Sequence, residues 1–155
     1  MPDSDPASPS LRKAEDFRWA DVELRPYKQE ASAPFQAISR QVLFSDPRVA
    51  GELRYFEIEP GGHSTLERHE HMHAVVILRG EGRVLVGAAV HSVKPHDLVT
   101  VPPWTWHQFR PAPGQTLGFL CLVNAQRDRP QLPTAEDMAA LSADAEVARF
   151  LDGKP

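Results

Sequence analysis

A chain of 155 residues, 41% hydrophobic and 25% charged, is sized for one globular domain and has the composition of an ordinary soluble protein. The formal net charge of -4, without any block of lysine and arginine, argues against a nucleic-acid partner, and no apolar run approaches the ~18 residues of a membrane span. Cys121 is the single cysteine, so no intramolecular disulfide forms, and the opening segment has no basic stretch leading into an apolar one; both favour a cytoplasmic location.

Residues 1–16 are rich in Pro, Ser and charge and poor in large apolar side chains, which reads as a disordered arm. Phe35 to Phe44 (FQAISRQVLF) reads as a strand ended by Ser45-Asp46-Pro47. From Gly51 to Val123 the pattern is β throughout. The first strand there runs from Leu53 to Ile58 with both faces partly apolar, and Pro60-Gly61-Gly62 is expected to break it. Short strands follow at Ala74–Leu78, Arg83–Val86, Val90–Val93, Leu98–Val101, His107–Arg110 and Leu117–Val123, punctuated by Gly80-Glu81-Gly82, Pro95, Pro102-Pro103 and Pro111 to Gly114. Short strands at close spacing with no helical period between them indicate a sandwich or barrel and argue against a βαβ fold. Residues 17–128 are thus assigned to an all-β barrel domain and 129–155 to a short helical tail. In that tail Thr134-Ala-Glu-Asp137 has capping-box spacing, Ser142 is placed to cap a second helix, and Gly153 to stop it.

Seven histidines are present, and three of them fall within His69–His73. In an extended chain, residues two apart point to one side with Cα atoms ~6–7 Å apart. Glu67 and His69 at that spacing are able to converge on one metal ion, with His73 returned beside them by a tight turn. His107 follows Pro102-Pro-Trp-Thr-Trp106 and reaches the same place only in a closed β fold. A second register keeps His69, His71 and His73 on one face, with His71 as a ligand in place of Glu67. Histidine runs also occur as surface tracts, but those do not sit between strand-like apolar segments. A carboxylate facing a barrel interior is costly to bury without a cation.

The stretch from Gly61 to Gly80 resembles the first motif of the cupin superfamily: a glycine, five residues, His-x-His, three or four residues, Glu, six residues, Gly. The spacing is kept, with Glu67 where the first histidine is usual and His73 where the glutamate is usual. Pro102-x-Trp104-x-x-His107 is similar to the second motif, with Trp104 replacing a glycine. The resemblance covers about residues 50–124 and implies a cupin jelly-roll barrel, or double-stranded β-helix. It also implies one divalent metal ion held by Glu67, His69, His73 and His107.

Imidazole plus carboxylate suits Fe, Mn, Ni, Cu or Zn and does not select among them. The ligands bind deprotonated, so affinity is expected to fall below pH ~6. The expected substrate pocket is the barrel mouth, lined from Trp104, Trp106, Phe109, Phe56 and Ile77, each with core packing as the ordinary alternative. No arginine or lysine can be assigned to an inward anion clamp, and Arg127-Asp-Arg129 reads as a solvated charge cluster or subunit contact. The resemblance implies a metal-dependent enzyme on a small oxygen-rich molecule, with a dioxygenase favoured over isomerase, lyase and decarboxylase. The competing expectation is a non-catalytic metal- or metabolite-binding module. A homodimer is the expected assembly.

Overall fold

The computed structural model describes residues 9–26 and 36–155. Eleven strands and two helices are found among them: β1 (Ala14–Glu15), β2 (Arg18–Trp19), β3 (Arg25–Pro26), β4 (Gln36–Ser45), β5 (Gly51–His63), β6 (His73–Arg79), β7 (Gly82–Val86), β8 (Ala89–Val93), β9 (Leu98–Val101), β10 (His107–Pro111), β11 (Leu117–Asn124), α1 (Ala135–Leu141) and α2 (Ala145–Leu151). A six-stranded antiparallel sheet in the order β3-β4-β5-β11-β6-β9 faces a three-stranded one in the order β10-β7-β8. This is the expected all-β barrel of cupin form. No helix among the described residues is long and apolar enough to cross a membrane.

The alternation of side chains along each strand builds two cores. Phe56 and Ile58 of β5, Val75 and Ile77 of β6, Val84 of β7, Val99 and Val101 of β9, Phe109 of β10 and Phe119 of β11 point inward and fill the barrel. Leu85, one residue beyond Val84, points the other way and packs with Leu66, Leu141, Val147 and Phe150. The helices therefore cover the outer face of the small sheet, and Phe150 lies beneath the guanidinium groups of both Arg83 and Arg110, at 5.5 and 5.4 Å. Thr134 and Asp137 form the expected reciprocal capping box on α1. The cap of α2 is Asp144, whose carboxylate accepts from the backbones of Glu146 and Val147, while Ser142 instead closes the C-terminal end of α1.

Two further differences from the sequence reading have clear causes. The Pro60-Gly61-Gly62 segment does not end β5. Gly61 adopts φ +80°, which a glycine does without steric cost, and the β4–β5 ladder shifts register there so that β5 continues to His63. Within the arm expected over residues 1–16, residues 1–8 lie outside the described residues, whereas Ala14–Glu15 pairs with Arg18–Trp19. The two form a ribbon against the outer face of the large sheet, where Phe17 stacks on Tyr55 at 5.9 Å and Trp19 lies at 5.0 Å.

Under that ribbon Glu57 is 6% exposed. Its carboxylate accepts from Tyr55 Oη at 2.9 Å, Arg18 Nη1 at 3.0 Å and Arg79 Nη1 at 2.8 Å. Burial alone would raise its pKa; the three donors outweigh burial and lower it. Gly118 leaves room for the Tyr55 hydroxyl, since a Cβ there would lie 2.1 Å from it. Glu57→Ala removes a shared acceptor from three donors, one of them buried. It is expected to lower the unfolding free energy by about 1–3 kcal/mol, read as the shift of the urea midpoint at unchanged m-value.

Candidate metal centre

The segment between β5 and β6 carries the candidate ligands, and it is tied down at three points. Glu67 forms a two-way backbone pair with His107, N–H to carbonyl at 3.3 and 3.1 Å. Residues paired in this way share a face, so the Glu67 side chain stands beside the His107 imidazole. Arg68 pairs through its backbone with Gln131, and the backbone N–H of Trp104 donates to the His69 carbonyl at 2.8 Å. Trp104 sits at φ +55°, a left-handed conformation that glycine adopts freely, which explains why the second motif usually carries glycine at this place.

His69, His73 and His107 bring their ligand nitrogens within 4.8 Å of one another, and all three are buried or half-buried. The Nδ1–H of His69 donates to the His71 carbonyl at 2.7 Å, and that of His107 to the Thr105 carbonyl at 2.9 Å. Those bonds fix the tautomers and leave both Nε2 atoms with lone pairs toward the cluster. His73 turns its Nε2 to 2.9 Å from that of His69 and its Nδ1 to 3.1 Å from Sγ of Cys121. Two ligands at right angles ~2.1 Å from a shared ion would lie ~3.0 Å apart, so the observed spacing suits a cation. Glu67, 8% exposed, stands outside the tightest group of three, and its charge bears on His69.

Burial, reinforced by the neighbouring imidazoles His107 and His71, lowers the pKa of His69 to about 4. Burial with His107, His69 and His71 lowers that of His73 to about 2. His69 and His73 are thus held neutral, the protonation state metal binding requires.

His71 does not point into this group. Its ring stacks on His69 at 3.6 Å with planes 1° apart, and its Nδ1 lies 2.7 Å from the Asp128 carboxylate. Asp128 also accepts the backbone N–H groups of Glu70 and His71, at 2.8 and 3.0 Å, and these bonds hold its pKa well below the usual carboxylate range. His69, His71 and Asp128 form a second group of potential ligands, sharing His69 with the first. Asp128 is a residue the sequence reading missed: nothing in Arg127-Asp128-Arg129 signals that the middle side chain folds back 57 residues to brace the His69–His73 turn.

The five residues expected to line a pocket separate. Trp104 is 48% exposed beside His69. Trp106 lies under the Arg68 guanidinium at 4.5 Å and packs against the outer cluster beneath the helices. Phe56 and Phe109 both stack on Phe119, at 5.6 and 4.7 Å, and Ile77 is fully buried with them in the barrel core. The structure therefore brings Trp104 to the histidines and leaves Trp106 outside the barrel.

The lowered pKa values have a sign that can be tested. Unfolded, both His69 and His73 take up protons near pH 6.5; folded, they stay neutral to about 4 and about 2. The unfolded state binds more protons in that window, so the metal-free protein is expected to lose stability as pH falls from 6.5 towards 4. Their imidazole NMR signals are expected not to shift between pH 5.5 and 8. A midpoint near 6.5 for either ring would contradict the buried, neutral cluster.

Comparison with known proteins agrees with this architecture. A family model described as a Cupin domain matches residues 54–123. A 1-methylthio-D-xylulose 5-phosphate methylsulfurylase from Rhodospirillum rubrum is 58% identical over 153 residues, 99% of this chain and 98% of that protein. A cupin 2 conserved barrel domain protein from Rhodopseudomonas palustris superposes with a TM-score of 0.86 at 58% identity, covering 91% of this chain and 98% of that one. A cupin-2 domain protein from Rhodospirillum rubrum gives 0.84 at 58% identity, covering 94% and 98%. With its two-sheet barrel, its histidine cluster at motif spacing and these full-length relatives, the chain belongs to the cupin family.

Proposed function

We propose that this protein is a metal-dependent enzyme acting on 1-methylthio-D-xylulose 5-phosphate or a close analogue, as a methylsulfurylase. The observation that carries this reading is the 58% identity to a protein of that name across nearly the whole of both chains. It is preferred to the dioxygenase that the family resemblance alone suggested, because that expectation rested on fold analogy.

The site chemistry supports it. We assign Glu67, His69, His73 and His107 as the ligand set. A xylulose is a 2-ketose, so the carbon bearing the methylthio group adjoins a carbonyl. A divalent ion held by these four residues would supply a Lewis acid to polarise such a carbonyl. The residues of the chain supply the rest. The Thr105 and His71 carbonyls orient two imidazoles, Asp128 braces the turn between the ligands, and half-exposed Trp104 offers an aromatic face at the rim.

On the outer face of the large sheet, register places Phe44, Leu53 and Leu122 in one row, with Phe44 and Leu122 about half exposed. That apolar row supports a homodimer, and sedimentation is expected to show a dimer that Leu122→Glu dissociates; a concentration-independent wild-type monomer would refute it.

Two measurements test the functional reading. Elemental analysis of tag-free protein is expected to find about one divalent metal per chain. Glu67→Ala, His69→Ala, His73→Ala and His107→Ala lose it and His71→Ala keeps it, with at most a 10–100-fold weaker affinity. Metal loss from His71→Ala with Glu67→Ala unaffected would reassign the fourth ligand. The metal-loaded protein, supplied with 1-methylthio-D-xylulose 5-phosphate and a low-molecular-weight thiol, is expected to break the C1–S bond, pass the methylthio group to the thiol as a mixed disulfide and leave the 1-deoxy sugar phosphate with the thiol's proton on C1, followed by mass spectrometry. Oxygen uptake with diketones, flavonols or catechols and no reaction of the methylthio sugar would replace the methylsulfurylase reading with a dioxygenase.

A further inference from the structure

The inward face of β5 holds a buried cation that is only loosely paired among the described residues. Phe56 and Ile58 are barrel-core residues, so Arg54, two positions earlier, points to the same interior. Register agrees on both sides: Arg54 stands opposite Val42 of β4 and opposite Cys121 of β11. Arg54 is 4% exposed, and its Nε–H has no hydrogen-bond partner among the described residues. Its guanidinium lies 5.0 Å from the centre of the Phe56 ring, and its charge bears on Cys121, the residue opposite it on β11. The nearest carboxylate, Glu52, is 3.8 Å away and is shared with Arg127 at 3.7 Å. Contrast Glu57 on the opposite face of the same strand, where three donors meet one buried carboxylate at 2.8–3.0 Å. A buried charge with so incomplete a set of partners is costly, and an arriving anion would relieve that cost.

Position and chemistry identify the anion. Cys121 stands opposite Arg54 in the ladder and lies 3.1 Å from His73 Nδ1, so Arg54 is one residue removed from a candidate metal ligand. On β4, Arg40 stands opposite Phe56, which puts it on the same inward face one diagonal step from Arg54, within reach for long side chains. Arg40 and Arg54 are thus neighbours on the inward face of the β4–β5 ladder. A guanidinium fork matches the oxygens of a phosphate monoester in pairs.

We infer that Arg54, supported by Arg40, forms the anion subsite that receives the phosphate of a sugar phosphate whose carbonyl end lies at the histidine cluster. This assignment rests on the proposed function for the identity of the sugar and deepens it by naming the group that reads the phosphate.

The test uses the full chain and Arg54→Met, which keeps much of the side-chain volume and removes the charge, with Arg54→Lys and Arg40→Met as second variants should the first fail to fold. Thermal melts with inorganic phosphate, on metal-free and metal-loaded protein, are expected to show stabilisation of the wild type that Arg54→Met abolishes. KM for 1-methylthio-D-xylulose 5-phosphate is expected to rise roughly 10- to 100-fold, as loss of a charged hydrogen-bonding pair implies. The effect on KM is expected to be much larger for the phosphorylated sugar than for phosphate-free 1-methylthio-D-xylulose. Lysine, a point charge without the fork, is expected to fall between. Turnover whose KM ignores the charge at 54 overturns the subsite and leaves the proposed function standing. An Arg54-dependent phosphate shift without turnover keeps the subsite and overturns the proposed function. Neither shift nor turnover in the wild type overturns both.

Discussion

The backbone pair between Glu67 and His107 is the constraint on which the site depends. These residues are far apart in sequence, and neither side chain has a reason to meet the other except that their strands are closed on one another. Two hydrogen bonds place an acid and an imidazole side by side. The turn braced by Asp128 then adds His69 and His73. Once the three rings are together, the same burial that costs solvation keeps His69 and His73 uncharged and ready for a cation. Position and protonation state thus come from one act of barrel closure.

Much of this was legible before any coordinates. Strand positions followed from short apolar runs between glycines and prolines, and β9 from Leu98 to Val101 was placed with its observed ends. The histidine cluster was legible because motif spacing joins two distant segments that composition alone cannot. Three things were not legible. Gly61 reads as a terminator in sequence, but its positive φ lets β5 bend and continue. Asp128 is one acid in a charged tripeptide, and only the return of the chain past β11 gives it the His71 amide. Arg54 lies in a strand apolar on both faces, so alternation gave no sign of which face is interior. The answer depends on the β1–β2 ribbon covering Tyr55 and Glu57 and so marking their side as the outside.

The two faces of β5 show how one strand separates stability from chemistry. Outward, Glu57 is matched closely by Tyr55, Arg18 and Arg79, and the result is a clasp for the N-terminal ribbon. Inward, Arg54 is left with a distant carboxylate, an aromatic face and a thiol. Closely matched polar groups hold a fold together, whereas poorly matched ones mark places where another molecule completes the set. The barrel architecture serves many chemistries among its relatives, and in this chain the distinguishing features are side chains, not strands.

The order of strands has a consequence for how the protein is made. β11 is the last strand in sequence, yet it lies inside the large sheet, between β5 and β6. Until its residues leave the ribosome, β5 and β6 each expose an unpaired edge, and the site has no closed wall. Between the emergence of β5 and that of β11 a nascent chain is therefore an open sheet with free edges, the state most prone to pairing with another chain. The rate at which β11 inserts sets how long those edges stay open.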